Sequence, residues 1–235
     1  MVIGRARWVL PEFETLRLSA EWESRWKPAL DEDRAGLPTA FRGYSRSSAT
    51  LIHHAYHIFR FEAATGRKIS DFETVVEFGG GYGSMLRLIE RLGFSGKYHI
   101  HDLPELGALQ RFFHESVRAE GWTGGAGGQR LTASFSSRRE DALRELSDPE
   151  STLFIATWSL SETPLEVREE WRPTLARFSW FLIGFQEVFE GMNNRAWFAE
   201  LTASRPDVRW CLEPILHRPD PRFYLFGCPD GDTGP

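Results

Sequence analysis

A doubly wound, mostly parallel α/β sheet is predicted for this chain by three observations. From Thr74 onward, short apolar runs alternate with helical stretches, the order that builds parallel strands joined by helices. The first run, Val75-Val76-Glu77-Phe78, breaks into Gly79-Gly80-Gly81-Tyr82-Gly83 and at once opens a helix at Ser84. A second run, 97–101, delivers Asp102 nineteen residues past Gly83, about where a nucleotide-binding unit places a carboxylate for ribose hydroxyls. The expected fold carries an antiparallel strand at its C-terminal end and a helical lid at its N-terminal end.

Residues 1–70, the expected lid, show helical periodicity and no strand-like alternation. Helices are predicted over 12–27 and 48–65, joined by a stretch around Gly36-Leu37-Pro38, whose residues favour turns. The second helix gathers Leu51, Ile52, Ala55, Ile58 and Phe59 on one broad apolar face. Residues 71–228 form the expected sheet domain, with parallel strands at 74–78, 97–101, 130–135, 151–157 and 180–187. Helices begin near Ser84, Pro104, Ser137, Pro164 and Asn193. In Thr163-Pro164-Leu165-Glu166 the threonine is the expected N-cap, the proline the first helical residue and the glutamate the third. Gly121 to Gly128 holds five glycines in eight residues and reads as a mobile surface loop. Segments 208–215 and 222–227 read as a closing antiparallel pair, and 229–235 as a fraying tail.

With 235 residues and 41% hydrophobic content, one domain with a helical extension can bury a proper core. A net charge of −5 gives no electrostatic reason for a nucleic-acid or anionic-membrane partner, so neither is expected. No signal pattern or membrane-length apolar run is visible. Cys211 and Cys228 are too few and too far apart for a zinc cluster or disulfide framework. Both are expected as small core residues, in keeping with a reducing cytoplasm. Of the aromatics outside the expected strands, Trp22, Trp26, Trp158 and Trp197 are candidates to line a pocket, with plain packing the alternative.

The glycine spacing excludes two common sites. A dinucleotide fingerprint needs glycine at the sixth position, but counting from Gly79 that is Ser84, and from Gly81 it is Leu86. A phosphate-cradling loop ends in Gly-Lys-Ser/Thr, whereas Gly83 precedes Ser84-Met85. What remains is E-x-G-x-G-x-G, which resembles the first motif of the class I, Rossmann-like, S-adenosylmethionine-dependent methyltransferases. That cofactor has no phosphate, so the loop needs no lysine, and its cationic groups suit Glu77 and Asp102. Each residue keeps a plainer alternative. Asp102 also reads as the cap of the next helix through Asp102-Leu103-Pro104-Glu105, and Glu77 can serve the loop's own backbone. In a doubly wound sheet, ligands sit beyond the carboxyl ends of the strands. That rule adds Ser134, Phe135, the stretch from Thr157 to Glu162, and Gln186-Glu187.

A longer pattern is similar to the sugar O-methyltransferase family. It comprises Val-Val-Glu-Phe-Gly-Gly-Gly-Tyr-Gly, then Tyr98-His99-Ile100-His101-Asp102-Leu103-Pro104-Glu105, Trp158-Ser159-Leu160-Ser161-Glu162-Thr163-Pro164, and the late Ile215-Leu216-His217 and Tyr224-Leu225-Phe226-Gly227. The resemblance implies a Rossmann-like fold, S-adenosyl-L-methionine as methyl donor, and a small polar acceptor. The glycine-rich insert is a departure from that pattern. The cofactor set is then Glu77, Gly79, Gly81, Gly83, Asp102, Leu103, Ser134, Phe135 and Thr157, with Trp158 and Ser159 toward the acceptor.

A hydroxyl acceptor needs a general base, for which His217, Glu187 and Glu162 are the candidates. His53 and His57 share a helix face at i, i+4, with His54 beside them. They admit three readings: a metal site, polar residues near the acceptor, or solvent-facing side chains. No metal is expected, because His54 stands where a metalloprotease helix needs glutamate. Tyr44 and Arg46 are candidates for the donor's carboxylate, with surface placement the default. An N-methyltransferase on an amino-bearing metabolite, whose acceptor need only arrive unprotonated and so weakens the demand for a base, and a catalytically silent cofactor-binding module serving a partner protein remain rivals. A small molecule is the expected partner, and a homodimer stays open.

Overall fold

The computed structural model describes residues 7–119, 131–146 and 148–231. The glycine-rich stretch 121–128 and the tail 232–235 fall outside the described residues. The chain opens with α1 (Val9–Arg17), a π-helical turn (Trp22–Trp26) running into α2 (Lys27–Ala29), the hairpin β1 (Ala40–Phe41) and β2 (Tyr44–Ser48), and α3 (Ala49–Thr65). There follow β3 (Thr74–Phe78), α4 (Ser84–Arg91), β4 (Lys97–His101), α5 (Pro104–Ala119), β5 (Thr132–Ser136), α6 (Arg139–Glu145) and β6 (Thr152–Thr157). The remainder is a 3-10 turn (Ser159–Glu162), α7 (Leu165–Leu175), β7 (Trp180–Gln186), the ladder β8 (Val188–Phe189) with β9 (Met192–Asn193), α8 (Asn194–Ala203), β10 (Val208–Pro214) and β11 (Arg222–Pro229).

Seven strands form one sheet in the order β10-β11-β7-β6-β3-β4-β5. The pairs from β7 to β5 are parallel, and β11 runs antiparallel to both of its neighbours. Strand order reverses between β3 and β6, because the chain winds outward to β4 and β5 on one side and to β6 and β7 on the other. Every residue of β3 and β7 is buried, as a sheet covered on both faces requires. Side-chain alternation sends Val75, Tyr98, Leu153 and Trp180 into one core with α1, α3 and α4. Val76, Phe154, Phe181 and Ile183 go into the other with α7 and α8.

The N-terminal segment is bonded to the sheet layer rather than set apart from it. Arg87 of α4 is buried and donates from Nε to Asp33 Oδ2 at 2.5 Å and from Nη1 to Ala29 O at 2.9 Å. Helix α3 is capped by the Ser48 hydroxyl, which accepts from Leu51 N–H at 3.1 Å, and stops at Gly66 with φ +75°. It packs on α1, α4, β7 and β11.

Several expectations need correction. The first helix is broken, because Ser19 Oγ accepts from Glu21 N–H at 3.2 Å, a local bond that competes with helix continuation. A hairpin, β1–β2, interrupts the segment expected to be wholly helical; with Phe41 paired to Tyr44 and an irregular register, it is too short to show alternation. Thr163 does not cap α7: its hydroxyl donates to Ser159 O at 2.8 Å, and Pro164 occupies the cap position. Cys228 is buried, but Cys211 is exposed. Among the described residues, no helix is long and apolar enough to cross a membrane.

Candidate active site

The crevice at the β3/β6 reversal is where an open α/β sheet takes its ligand. The glycine turn enters it with positive φ at Gly79 (+75°), Gly81 (+57°) and Gly83 (+97°). The first two glycines have different physical reasons. A Cβ on Gly79 would stand 2.3 Å from the Cβ of Ser159, whereas one on Gly81 would meet nothing within 4 Å. Gly79 therefore lets the loop after β6 close on the loop after β3, a contact reinforced by the Ser159 hydroxyl donating to Phe78 O. At Gly81, bare main chain faces open space.

Asp102 leaves β4 beside this turn. Its Oδ1 accepts from Leu103 N–H at 2.8 Å and its Oδ2 from the Gln110 amide at 2.8 Å; the same amide nitrogen donates to Gly81 O at 3.0 Å. Gln110, fully buried on α5, thus ties the carboxylate to the glycine turn. A carboxylate has about four acceptor positions, so Asp102 keeps capacity for ligand hydroxyls. Leu103 is 64% exposed next to it and presents an apolar surface. Glu77 lies lower, under the loop, with Tyr98 donating to its Oε2 at 2.9 Å.

Burial, together with the Asp102 charge, pushes the Glu77 carboxyl up to about 7 against the Tyr98 hydrogen bond. A folded-state value above the unfolded one means that this group's contribution is complete at low pH and is lost as pH rises through about 7. Glu77→Gln, which keeps an acceptor for Tyr98, is therefore expected to stabilise the protein above neutrality, by up to about 3 kcal/mol. Urea midpoints should show the gap between variant and wild type widening from acid to mildly alkaline pH. A gap independent of pH would contradict the raised value.

Beyond β6 the chain makes a strained turn. Trp158 holds φ +72°, ψ −40°, an arrangement that costs about 1–3 kcal/mol for a side-chain-bearing residue. Its N–H donates to Gly184 O at 2.7 Å. Buried Arg168 clamps the turn, donating to Ser161 O at 2.6 Å and Thr163 O at 2.7 Å. The Trp158 ring stacks on His53 at 5.9 Å and 8° and meets His57 at 5.8 Å.

All three α3 histidines turn inward, which corrects the solvent-facing reading. His54 Nδ1 bonds the Ser84 hydroxyl at 2.7 Å, at the start of the helix that follows the glycine turn. His57 Nδ1 meets Tyr224 OH at 2.7 Å. His53 Nδ1 lies 2.9 Å from both oxygens of Glu12, a carboxylate of 0% exposure. His53 and His57 thus direct Nδ1 to different partners, and among the described residues no three His, Cys, Asp or Glu side chains gather as metal ligands. Burial and the neighbouring His54, Arg218, His217 and Arg222 hold His53 well below the usual histidine range. That favours the neutral imidazole, in which the Nδ1 proton is assigned to the Glu12 contact and Nε2 keeps its lone pair.

The remaining candidates divide. His217 joins the cluster, with Nε2 at 2.6 Å from Glu12 Oε1. Glu162 is exposed and accepts from the Gln186 amide at 3.1 Å. Glu187 is half-buried beyond β7, and its backbone N–H donates to Pro221 O at 3.0 Å. Thr157 closes β6 opposite Gly184. Ser134 points across the sheet face to His99 at 2.8 Å, while Phe135 lies against His114 of α5. Arg46 is committed to Asp31, with Nε to Oδ1 at 2.7 Å, and Tyr44 stacks on Phe13. Trp26 and Trp197 are buried packing residues. Glu12, Gln110, Arg218 and Arg222 escape a reading of the sequence. Glu12 had one signal: it stands on the same helix face as Val9, Phe13 and Leu16, a charge at a core position.

Strand order, the single reversed strand and the glycine turn at the switch point make this a Rossmann-like, doubly wound α/β fold. No protein-family model and no curated protein matches the sequence. Among solved structures, the chain is similar to the PH0226 protein from Pyrococcus horikoshii OT3, at TM-score 0.50 and 12% identity over 75% of this chain and 91% of that one. It is also similar to the N-terminal domain of human METTL16 in complex with SAH, at TM-score 0.49 and 14% identity over 75% and 70%. A third, an O-methyltransferase family protein from Burkholderia thailandensis, aligns at TM-score 0.45 and 12% identity over 78% and 60%. At these identities the likeness concerns the fold.

Proposed function

We propose that the chain is an S-adenosylmethionine-dependent methyltransferase acting on a hydroxyl of a small, sugar-like molecule. The observation that carries the reading is the bridge made by Gln110, which holds the Asp102 carboxylate and the open main chain of Gly81 together at the switch point. The residues fit the cofactor: Asp102 offers acceptor positions for ribose hydroxyls, Leu103 an exposed apolar surface for the base, and Gly81 a cradle that a Cβ would fill. When bound, the cofactor supplies an electrophilic methyl group on a sulfonium. The chain's own work is orientation and proton removal, and near-attack positioning is the larger share of the rate.

His53 is the base of this reading, in preference to His217, Glu187 and Glu162. Its Nδ1 is fixed by buried Glu12, Trp158 orients its ring, and its free Nε2 takes the acceptor's proton while Glu12 steadies the imidazolium that forms. His217 is the second partner of the same carboxylate. A base of this kind favours a hydroxyl acceptor over an amine. The sugar character rests on the resemblance of Trp158-Ser159-Leu160-Ser161-Glu162-Thr163-Pro164 and Asp102-Leu103-Pro104-Glu105 to the sugar O-methyltransferase pattern.

Calorimetry with S-adenosylhomocysteine, followed by mass spectrometry of acceptor mixtures incubated with S-adenosylmethionine, tests the proposal. The expected result is saturable binding and a product heavier by one methylene. Binding without turnover would make the chain a cofactor-binding module, and no heat at saturation would remove the methyltransferase reading altogether.

A further inference from the structure

We propose that Arg218 and Arg222 form an anion-binding subsite beside His53, so that the acceptor is an acid-bearing molecule of sugar size, holding a carboxylate or phosphate between two guanidinium groups. The word acceptor rests on the methyltransferase reading; the anion site does not.

The two arginines flank the proposed base through its own aromatic neighbours. Arg222 opens β11 opposite Gln186, at the carboxyl end of β7, and its guanidinium lies 5.0 Å from the centroid of the Trp158 ring. Arg218 lies 3.7 Å over Trp8, whose ring meets His53 edge-on at 4.7 Å. The imidazole is thus held between two indoles, each carrying a cation.

Several of their donors are unmet. Nε and Nη1 of Arg218 and Nε of Arg222 are buried with no hydrogen-bond partner among the described residues. A buried guanidinium N–H without an acceptor is costly, and such an orphaned donor calls for a water, an ion or a ligand to meet it. Nearby acids do not answer the need. Glu12 spends its oxygens on His53 and His217, and Asp220 reaches Arg222 only at 3.8 Å with its side chain 70% exposed. After burial, the Arg222 charge is the largest influence pulling Arg218 below its ordinary value, so the pair repels itself until a shared anion intervenes. Planar guanidinium groups match carboxylate and phosphate oxygens two at a time, which a neutral sugar cannot exploit. An anion there would also cancel two of the charges that hold His53 down, so the base would strengthen only once the acceptor is seated.

Inorganic phosphate, glucuronate, glucose 6-phosphate and glucose are the probes, titrated into the full chain up to about 10 mM with Trp fluorescence and calorimetry as readouts. Glucuronate and glucose 6-phosphate separate a carboxylate from a phosphate preference, and either one binding while glucose does not is the expected result. Arg218→Gln and Arg222→Gln should each weaken that binding about tenfold or more, while the exposed Arg177→Gln leaves it unchanged. S-Adenosylhomocysteine affinity, measured on the same samples, should be unaffected, which separates failure of this subsite from failure of the cofactor reading. Should a variant not fold, the wild type decides alone: acid binding must fall with added salt. Equal binding of glucose, or no binding by any acid probe, overturns the proposal. So does loss of S-adenosylhomocysteine affinity in the arginine variants, because the pair would then serve the donor's carboxylate.

Discussion

His53→Gln is expected to lose methyl transfer by about 10²–10⁴-fold while binding S-adenosylhomocysteine as the wild type does. Glutamine can still donate to Glu12, so the buried carboxylate keeps a partner, but it has no lone-pair nitrogen to take a proton. Glu12→Gln should lower kcat by a smaller factor and leave KM little changed, because it acts on His53 rather than on the acceptor. The pH profile adds a sign. His53 is held well below 6.5, and the base must be neutral, so kcat/KM should fall only as pH drops beneath the ordinary histidine range. The groups facing it are Glu12, His54, His57, His217, Arg218 and Arg222. An acid limb at or above 6.5, or full activity in His53→Gln, would return the role to another residue or favour an amine acceptor.

The second large effect separates two glycines that look alike in the sequence. Gly79→Ala must hold φ +75° with its Cβ 2.3 Å from that of Ser159. Left-handed strain and overpacking together should cost about 2–5 kcal/mol, lowering Tm by roughly 5–15 °C. Ser159→Gly in the same chain removes the clashing atom and should restore part of the loss, a coupling that a double-mutant cycle reads directly. Gly81→Ala has no neighbour to strike, so it should cost only about 1–2 kcal/mol of stability. Its Cβ would instead enter the space kept for the ligand, and S-adenosylhomocysteine affinity should fall by about tenfold or more. If Gly81→Ala bound the cofactor normally, the bare main chain there would have no role in binding.

How far this site was legible depends on how local each part of it is. The strand, the glycine turn and the carboxylate after β4 follow one another within 29 residues, and each is dictated by backbone geometry that neighbouring residues set. Strand boundaries came within one or two residues for the same reason. The short hairpin at β1–β2 and the break after α1 did not, because a two-residue ladder and a single Ser19 hydrogen bond leave no periodic signal. Glu12 and His53 are 41 positions apart, and Glu12 and His217 are 205 apart. No spacing rule connects them.

By itself, the sequence determined the alternation of strands and helices, the bare turn at 79–83 and the acid that follows, since steric limits on φ and the period of apolar residues act over a few positions. Only the tertiary structure decided which histidine shares a buried carboxylate, at which glycine a Cβ would clash and at which it would meet open space, and that donors of Arg218 and Arg222 stay unmet among the described residues. Those outcomes depend on which distant groups are desolvated together, and burial and charge compensation belong to the folded assembly of elements rather than to any stretch of chain.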